Sequence, residues 1–455
     1  MSNFAQRHTK ITNFYLLAKA PPTMKAELRH HSKWKKAVLV IPLLASEYTN
    51  PENRPVFEKI LKQLRSVSFL SRIILGLDQA DAQDAQDLAG LLVKHKLKNC
   101  LIQHNDGPGF SAIYDKLSEA GFGLDVRGKG RNMFLSFGIA IALGAQSVGI
   151  IDADIKTFRH RQLQRLFYPV QVLNYQFSKA FYARIQGDQM YGRVKRLLLD
   201  PLLIALKRKF TDTQEAKILR LVDFLLNFNY QLSGEVVFDT SLLKRMRFAM
   251  NWGVEIFTLI EVYRKATNIA QVEISQGPFD HKHQAVSHNN PEQGLHKMAV
   301  DIVTTLLRAL VIDEGLEISD HFIRDLTVTY LDVADNLVKM YADNAAYSGL
   351  NYETNVEEAM VHGVVKDAIL YAGDLLMSPY RLVDRFNTFV GSHEAFQPFL
   401  ASGLLQAITD TAQQSRDHLF ETPQTVSWER VIRKIPSIIY DIIDVMEKEK
   451  KLYKK

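Results

Sequence analysis

Between Ala37 and Ile155 the sequence alternates short apolar runs with stretches of helical period, and a chain of that pattern folds as a mostly parallel sheet covered by helices. The first strand is expected over Ala37 to Ile41 and is ended by Pro42. Phe57, Ile60, Leu61 and Leu64 follow at i, i+3, i+4 and i+7, the stripe of a crossover helix. A second strand, Ile73 to Leu77, stops at Asp78; a helix over Asp84 to Lys96 leads to a third strand near Cys100 to Ile102, and Gly107-Pro108-Gly109 breaks the chain. The fourth strand, Val148 to Ile151, runs directly into Asp152-Ala153-Asp154. From Arg159 to Ile274 helices and strands mix, with strands expected at Phe177 to Arg184, Glu235 to Asp239 and Ala270 to Ile274. Beyond about Asn290 the pattern is helical: Met298 to Leu310, Asp320 to Ala342, Val356 to Leu376 and Trp428 to Lys448 carry helical apolar spacing. The chain therefore divides into an N-terminal segment (1–36), an α/β domain (37–289) and a helical C-terminal region (290–455).

Composition removes several classes of function. Cys100 is the only cysteine, which excludes an intrachain disulfide and a Cys-rich zinc site and leaves His, Asp and Glu to hold a hard metal ion. No apolar run is long enough to span a bilayer, and the N-terminus lacks the apolar stretch of a signal peptide, so the expected compartment is the cytoplasm. The formal charge of +6 is spread along the chain, apart from Lys33, Lys35, Lys36 and the terminal Lys450, Lys451, Lys454 and Lys455, which are expected to be solvated ends. No concentrated basic face or motif points to nucleic acid; a small phosphorylated ligand suits a mild positive excess.

In open α/β sheets ligands bind beyond the carboxyl ends of the strands, so Asp78 and the Asp152/Asp154 pair should face one crevice. Two aspartates one residue apart at a strand end suit Mg²⁺ or Mn²⁺ bound to a diphosphate; the bland alternative is strand-end solvation or a helix cap. Gly128-Lys129-Gly130 precedes an amphipathic helix and offers close backbone approach, free N–H groups and a cation, or only a glycine turn with an exposed lysine. His281 and His283, in Asp280-His281-Lys282-His283, could complete the coordination of a metal held by Asp154, provided the fold joins the two loops. Glu255 falls in the first turn of a helical pattern, where a carboxylate favours the dipole; a second role is hydrogen bonding to a sugar or acceptor hydroxyl. Arg193, Lys195 and Arg196 also start a helix, where the dipole disfavours cations, and an anionic ligand would explain them.

Taken in order, Gly128-Lys129-Gly130, Ile151-Asp152-Ala153-Asp154, Phe177 to Tyr182, Gly192-Arg193-Val194, Asp200-Pro201-Leu202-Leu203, Leu232-Ser233-Gly234-Glu235, Gly253-Val254-Glu255-Ile256 and His281 form a series that resembles the glucosyl-3-phosphoglycerate synthase family across about residues 37 to 285. The resemblance implies a GT-A fold and a retaining transfer of glucose from a nucleotide donor, typically UDP-glucose, to 3-phosphoglycerate. It places Asp154 and His281 on Mg²⁺ or Mn²⁺, and Pro42, Glu47, Asp78, Gly128, Lys129 and Asp152 on the donor. Gly192, Arg193, Val194 and Lys195 take the small anionic acceptor, and Leu232, Ser233 and Gly234 lie beside the reacting sugar. Glu255 is left to positioning. The chain departs from the family in having Lys195 where a Thr is common, and an extra helical stretch at Thr213 to Asn227. It is also similar to mannosylglycerate synthase, which uses GDP-mannose and glycerate. A sugar-nucleotide pyrophosphorylase is disfavoured because Pro42 to Glu47 follows the first strand where that class has its glycine-rich signature. A non-catalytic nucleotide-sugar-binding protein would lack Asp154, His281 or Arg193. The C-terminal helices are open to three roles: a homodimer contact, a cover for the acceptor cleft, or a shield for the core.

Overall fold

The computed structural model describes residues 6, 8–17, 23–124, 127–213, 215–277, 279–281, 294–377 and 425–452 of the 455. Its centre is an eight-stranded sheet built from β1 (Ile11–Phe14), β2 (Ala37–Leu44), β3 (Leu70–Asp78), β4 (Cys100–His104), β5 (Ser147–Ile150), β6 (Phe177–Phe181), β9 (Val236–Asp239) and β10 (Ile269–Glu273). A small hairpin, β7 (Ile185–Gln186) and β8 (Gln189–Met190), stands apart. The strand order is β1-β10-β6-β9-β5-β2-β3-β4. Every pairing in the large sheet is parallel except those of β9, which runs antiparallel to both β5 and β6.

Both faces of the sheet are buried, and β2 shows how. Val38 and Val40 join the apolar layer under the helices Lys129–Ala142, Asp200–Thr213 and Val254–Lys265. Leu39 and Ile41 join the opposite layer, under Arg54–Leu64, Ala82–Lys94 and His160–Gln171. Successive side chains point to opposite faces, so a strand covered on both sides reads as a continuous apolar run.

Two expectations need correction. Pro42 does not end β2, which continues to Leu44 with Pro42 opposite Gly76. Pairing with β5 stops at Val40 and Ile150, so the missing N–H of Pro42 falls where no ladder bond is required. The N-terminal segment also contributes a strand: β1 extends the sheet by pairing with β10. It escapes detection because Ile-Thr-Asn-Phe is a four-residue, half-polar edge.

The C-terminal helices share the core of the sheet. Gly294–Ala309 packs on Val254–Lys265, Asp320–Ser348 on Asp200–Thr213, and Ile438–Leu452 on both Pro108–Glu119 and Lys129–Ala142. Trp428 is fully buried, stacks on Phe134 at 4.8 Å and donates its Nε1–H to the Phe134 carbonyl at 2.8 Å. No helix among the described residues is long and apolar enough to cross a membrane.

Candidate active site

The carboxyl ends of β2, β3 and β5 open into a cleft of about 600 Å³. Asp78 is the last residue of β3, and the chain leaves β5 with the Ile151 N–H on the Val40 carbonyl before presenting Asp152 and Asp154. Because β9 is antiparallel, it begins at this same edge, with Val236 beside Ile150, and the residue before it, Glu235, enters the site.

Asp154 and His281, 127 positions apart in the numbering, converge: His281 Nδ1 lies 3.5 Å from Asp154 Oδ1, and its Nε2 lies 3.9 Å from Glu235 Oε1. Ligand atoms of Asp152, Glu235 and His281 all fall within 4.8 Å of one another. Asp154 Oδ1, Glu235 Oε1 and His281 Nε2 are buried without a hydrogen-bond partner. Buried polar atoms are normally satisfied, so orphaned atoms on Glu235 and His281 within reach of Asp152, with Asp154 on the other side of the His281 ring, are a set of oxygen and imidazole groups that could hold a divalent cation such as Mg²⁺ or Mn²⁺. Burial raises the Glu235 carboxyl above the ordinary carboxylate range, although the Tyr182 hydroxyl donates to it at 2.7 Å. For His281, burial disfavours the charged ring, but Asp154 and Glu235 outweigh it and raise the imidazole. His283, the other candidate ligand, lies outside the described residues.

Lys129 is the first residue of the helix Lys129–Ala142, and its Nζ lies 2.6 Å from Asp152 and 2.9 Å from Glu255. Burial opposes its charge, yet the two carboxylates hold the ammonium above its usual range. Lys129, which the resemblance places on the donor, is tied between two acids in this structure. The flanking glycines explain this proximity. A Cβ on Gly130 would sit 1.8 Å from the Ala249 carbonyl oxygen, and one on Gly128 2.6 Å from that of Met250, so only glycine admits the strand of chain that leads to Glu255.

Pro42, Glu47, Asp78, Gly128, Gly192, Arg193, Val194, Lys195 and Leu232 also line the cleft, as do Lys129, Asp152, Asp154, Glu255 and His281. Burial, with Asp106 nearby, raises the Asp78 carboxyl. Ser233 and Gly234 do not line this cleft; they stand behind its wall. Ser233 is fully buried with its hydroxyl on the Ala180 carbonyl at 2.6 Å, and its own carbonyl accepts from Lys179 Nζ at 2.6 Å. A Cβ on Gly234 would lie 2.6 Å from Asp152 Oδ2. The pair shapes the seat of Asp152 and Glu235. Lys179 braces that turn as a buried amine, which burial pushes down to about 8.

The cations after Gly192 are partly matched within the chain. Lys195 pairs with Asp200, and Arg196 makes a two-pronged bridge to Glu357 at 2.6 and 2.8 Å. Arg193 reaches the same Glu357 only at 3.4 Å, so two guanidinium groups share one carboxylate and a positive charge is left at the cleft.

Sequence reasoning missed Glu235 and Arg184 as members of the site. The signal for Glu235 was an acid at the head of the buried run Val236-Val237-Phe238, a costly position without a partner. Only the antiparallel course of β9 shows where it leads.

No family model matches the chain. Over 339 residues it is 34% identical to a glucosyl-3-phosphoglycerate synthase of Persephonella marina, covering 73% of this chain and 80% of that protein. A glucosyl-3-phosphoglycerate synthase of Methanococcoides burtonii is 33% identical over 345 residues, 75% of this chain and 82% of the relative. Among solved structures, the glucosyl-3-phosphoglycerate synthase of Mycobacterium tuberculosis with Mn²⁺, UDP-glucose and phosphoglyceric acid superposes with a TM-score of 0.46 at 22% identity, over 67% of this chain and 89% of that one. With a third of its residues identical to those two curated relatives over most of both lengths, the chain belongs to the glucosyl-3-phosphoglycerate synthase family.

Proposed function

We propose that this enzyme transfers glucose, with retention, from UDP-glucose to 3-phosphoglycerate with the help of Mg²⁺ or Mn²⁺. The observation that carries the reading is the convergence of Asp152, Glu235 and His281 at the cleft, with Asp154 against the His281 ring and the N-terminus of the Lys129–Ala142 helix nearby. Asp154, Glu235 and His281 would hold the metal, which when bound offsets the charge that builds on a departing diphosphate. Lys129 fixes Asp152 and Glu255 relative to one another, which suits Glu255 to a sugar or acceptor hydroxyl. The incompletely matched Arg193 takes the acceptor phosphate. The acceptor proton leaves with the departing phosphate on the same face of the sugar, so no protein nucleophile is assigned.

The assay is direct. Purified protein with Mn²⁺ is offered UDP- and GDP-sugars together with 3-phosphoglycerate or D-glycerate. Nucleotide diphosphate release is expected to require UDP-glucose and 3-phosphoglycerate together. Release with GDP-mannose and glycerate instead would select the mannosyl reading, and pyrophosphate-dependent formation of nucleoside triphosphate would refute glycosyl transfer. Arg193→Ala is expected to raise the acceptor KM roughly 10- to 100-fold, the range of a lost charge-assisted hydrogen bond, with the donor KM unchanged. An unchanged acceptor KM removes the case for a phosphorylated acceptor at this loop.

A further inference from the structure

One wall of the cleft comes from beyond the motif series, from the helix Gly294–Ala309. This helix is locked onto the turn that precedes Glu255: Thr305 Oγ1 and the Gly253 N–H both contact Asn251 Oδ1, at 3.3 and 2.9 Å, and a Cβ on Gly253 would meet Thr305 Oγ1 at 2.1 Å. It turns Leu295, Met298 and Ile302 into the cleft together with Lys297 and Asp301. The Asp301 side chain is 11% exposed, and its two contacts are long: the Trp252 N–H at 3.4 Å and Lys297 Nζ at 3.3 Å. A carboxylate can accept about four hydrogen bonds, so much of this one's capacity is unfilled. Burial raises its carboxyl accordingly.

We propose that Asp301 accepts hydroxyl groups of the transferred sugar, so that a helix outside the family motifs helps to select the sugar. The proposal rests on the reading of the cleft as a nucleotide-sugar site. Charge decides which part of the ligands faces this wall. The diphosphate and a phosphorylated acceptor are anions, which a carboxylate repels, whereas the hexose is uncharged and rich in hydroxyl donors. Leu295, Met298 and Ile302 beside it offer an apolar surface for the C–H face of a pyranose, the usual mixture of many apolar and few polar contacts in a small-molecule site.

The test separates sugar recognition from nucleotide binding. Affinities for UDP-glucose and for UDP, each with Mn²⁺, are measured by calorimetry on the full chain for wild type, Asp301→Asn and Asp301→Ala; Asn keeps the shape of the side chain, and melting curves confirm that each variant is folded. UDP is expected to bind all three within about twofold, while UDP-glucose binds Asp301→Ala roughly tenfold more weakly and Asp301→Asn by an intermediate factor. Parallel losses for both ligands would mean that Asp301 only shapes the cleft, and no loss for either would mean that it faces no ligand; each result overturns the proposal. The expected split between wild type and the variants, together with a wild type that transfers no sugar to any acceptor, would sink the transferase reading and leave Asp301 in place. Failure of wild type to bind UDP at all refutes both.

Discussion

Glu235→Ala is expected to lose metal-supported turnover, by roughly 10²- to 10³-fold in kcat, while the folded protein melts no earlier than wild type. The two halves of this result have one cause. Glu235 is 1% exposed, and its Oε1 has no hydrogen-bond partner, so the carboxylate weakens the metal-free fold and is useful when a cation sits between it, Asp152 and His281. Removing a buried carboxylate that only the Tyr182 hydroxyl and a long His281 contact offset relieves the folded state, as is common where a site is built at the expense of stability. Glu235→Gln should behave alike in turnover and keep the Tyr182 contact. Asp154→Ala and His281→Ala are expected to give the same loss. Titration of Mn²⁺ into each variant while initial rates are followed provides the check. A near-wild-type rate with an unchanged metal requirement in Glu235→Ala would remove it from the site.

Trp428→Ala is expected to cost about 3–5 kcal/mol of unfolding free energy, the range for deleting a large buried aromatic side chain. The indole touches the helix that carries Lys129 in three ways. It stacks on Phe134, donates to the Phe134 carbonyl, and fills the space over Gly138, where a Cβ would lie 2.2 Å from its ring. Alanine leaves a cavity against that helix and loosens the far end of the Lys129 to Asp152 and Glu255 tie, so donor KM should rise as stability falls. Denaturant titration measures the first effect and steady-state kinetics the second. A loss below about 1 kcal/mol would show that the tryptophan does not anchor this face.

The strands that carry the site were legible because a doubly covered parallel sheet writes itself as uninterrupted apolar runs. Asp78 and the Asp152/Asp154 pair could be placed at its carboxyl edge from those runs alone. Composition had already confined any metal to oxygen and imidazole ligands. What stayed hidden depended on chain direction and on partners distant in sequence. Glu235 comes beside Asp152 and His281 only because β9 is reversed. The cations after Gly192 did conflict with the helix dipole, as their positions suggested. Asp200 and Glu357 resolve much of that conflict within the chain, which no local pattern could show. Helical apolar spacing over Met298 to Leu310 did not reveal that the helix starts earlier, at Gly294, or that Leu295, Met298 and Ile302 face the cleft.

The bond between Trp428 and Phe134 spans 294 residues of chain, and it has a consequence for biosynthesis. At about 5–20 residues per second, a ribosome needs about 15 to 60 s to travel from one partner to the other. Until the distal segment emerges, the helix that carries Lys129 keeps a bare, apolar outer flank beside the strand that leads to Asp152 and Asp154. Catalytic competence therefore waits on translation of the distal segment, and a stalled or prematurely terminated product would be prone to aggregate before it could act.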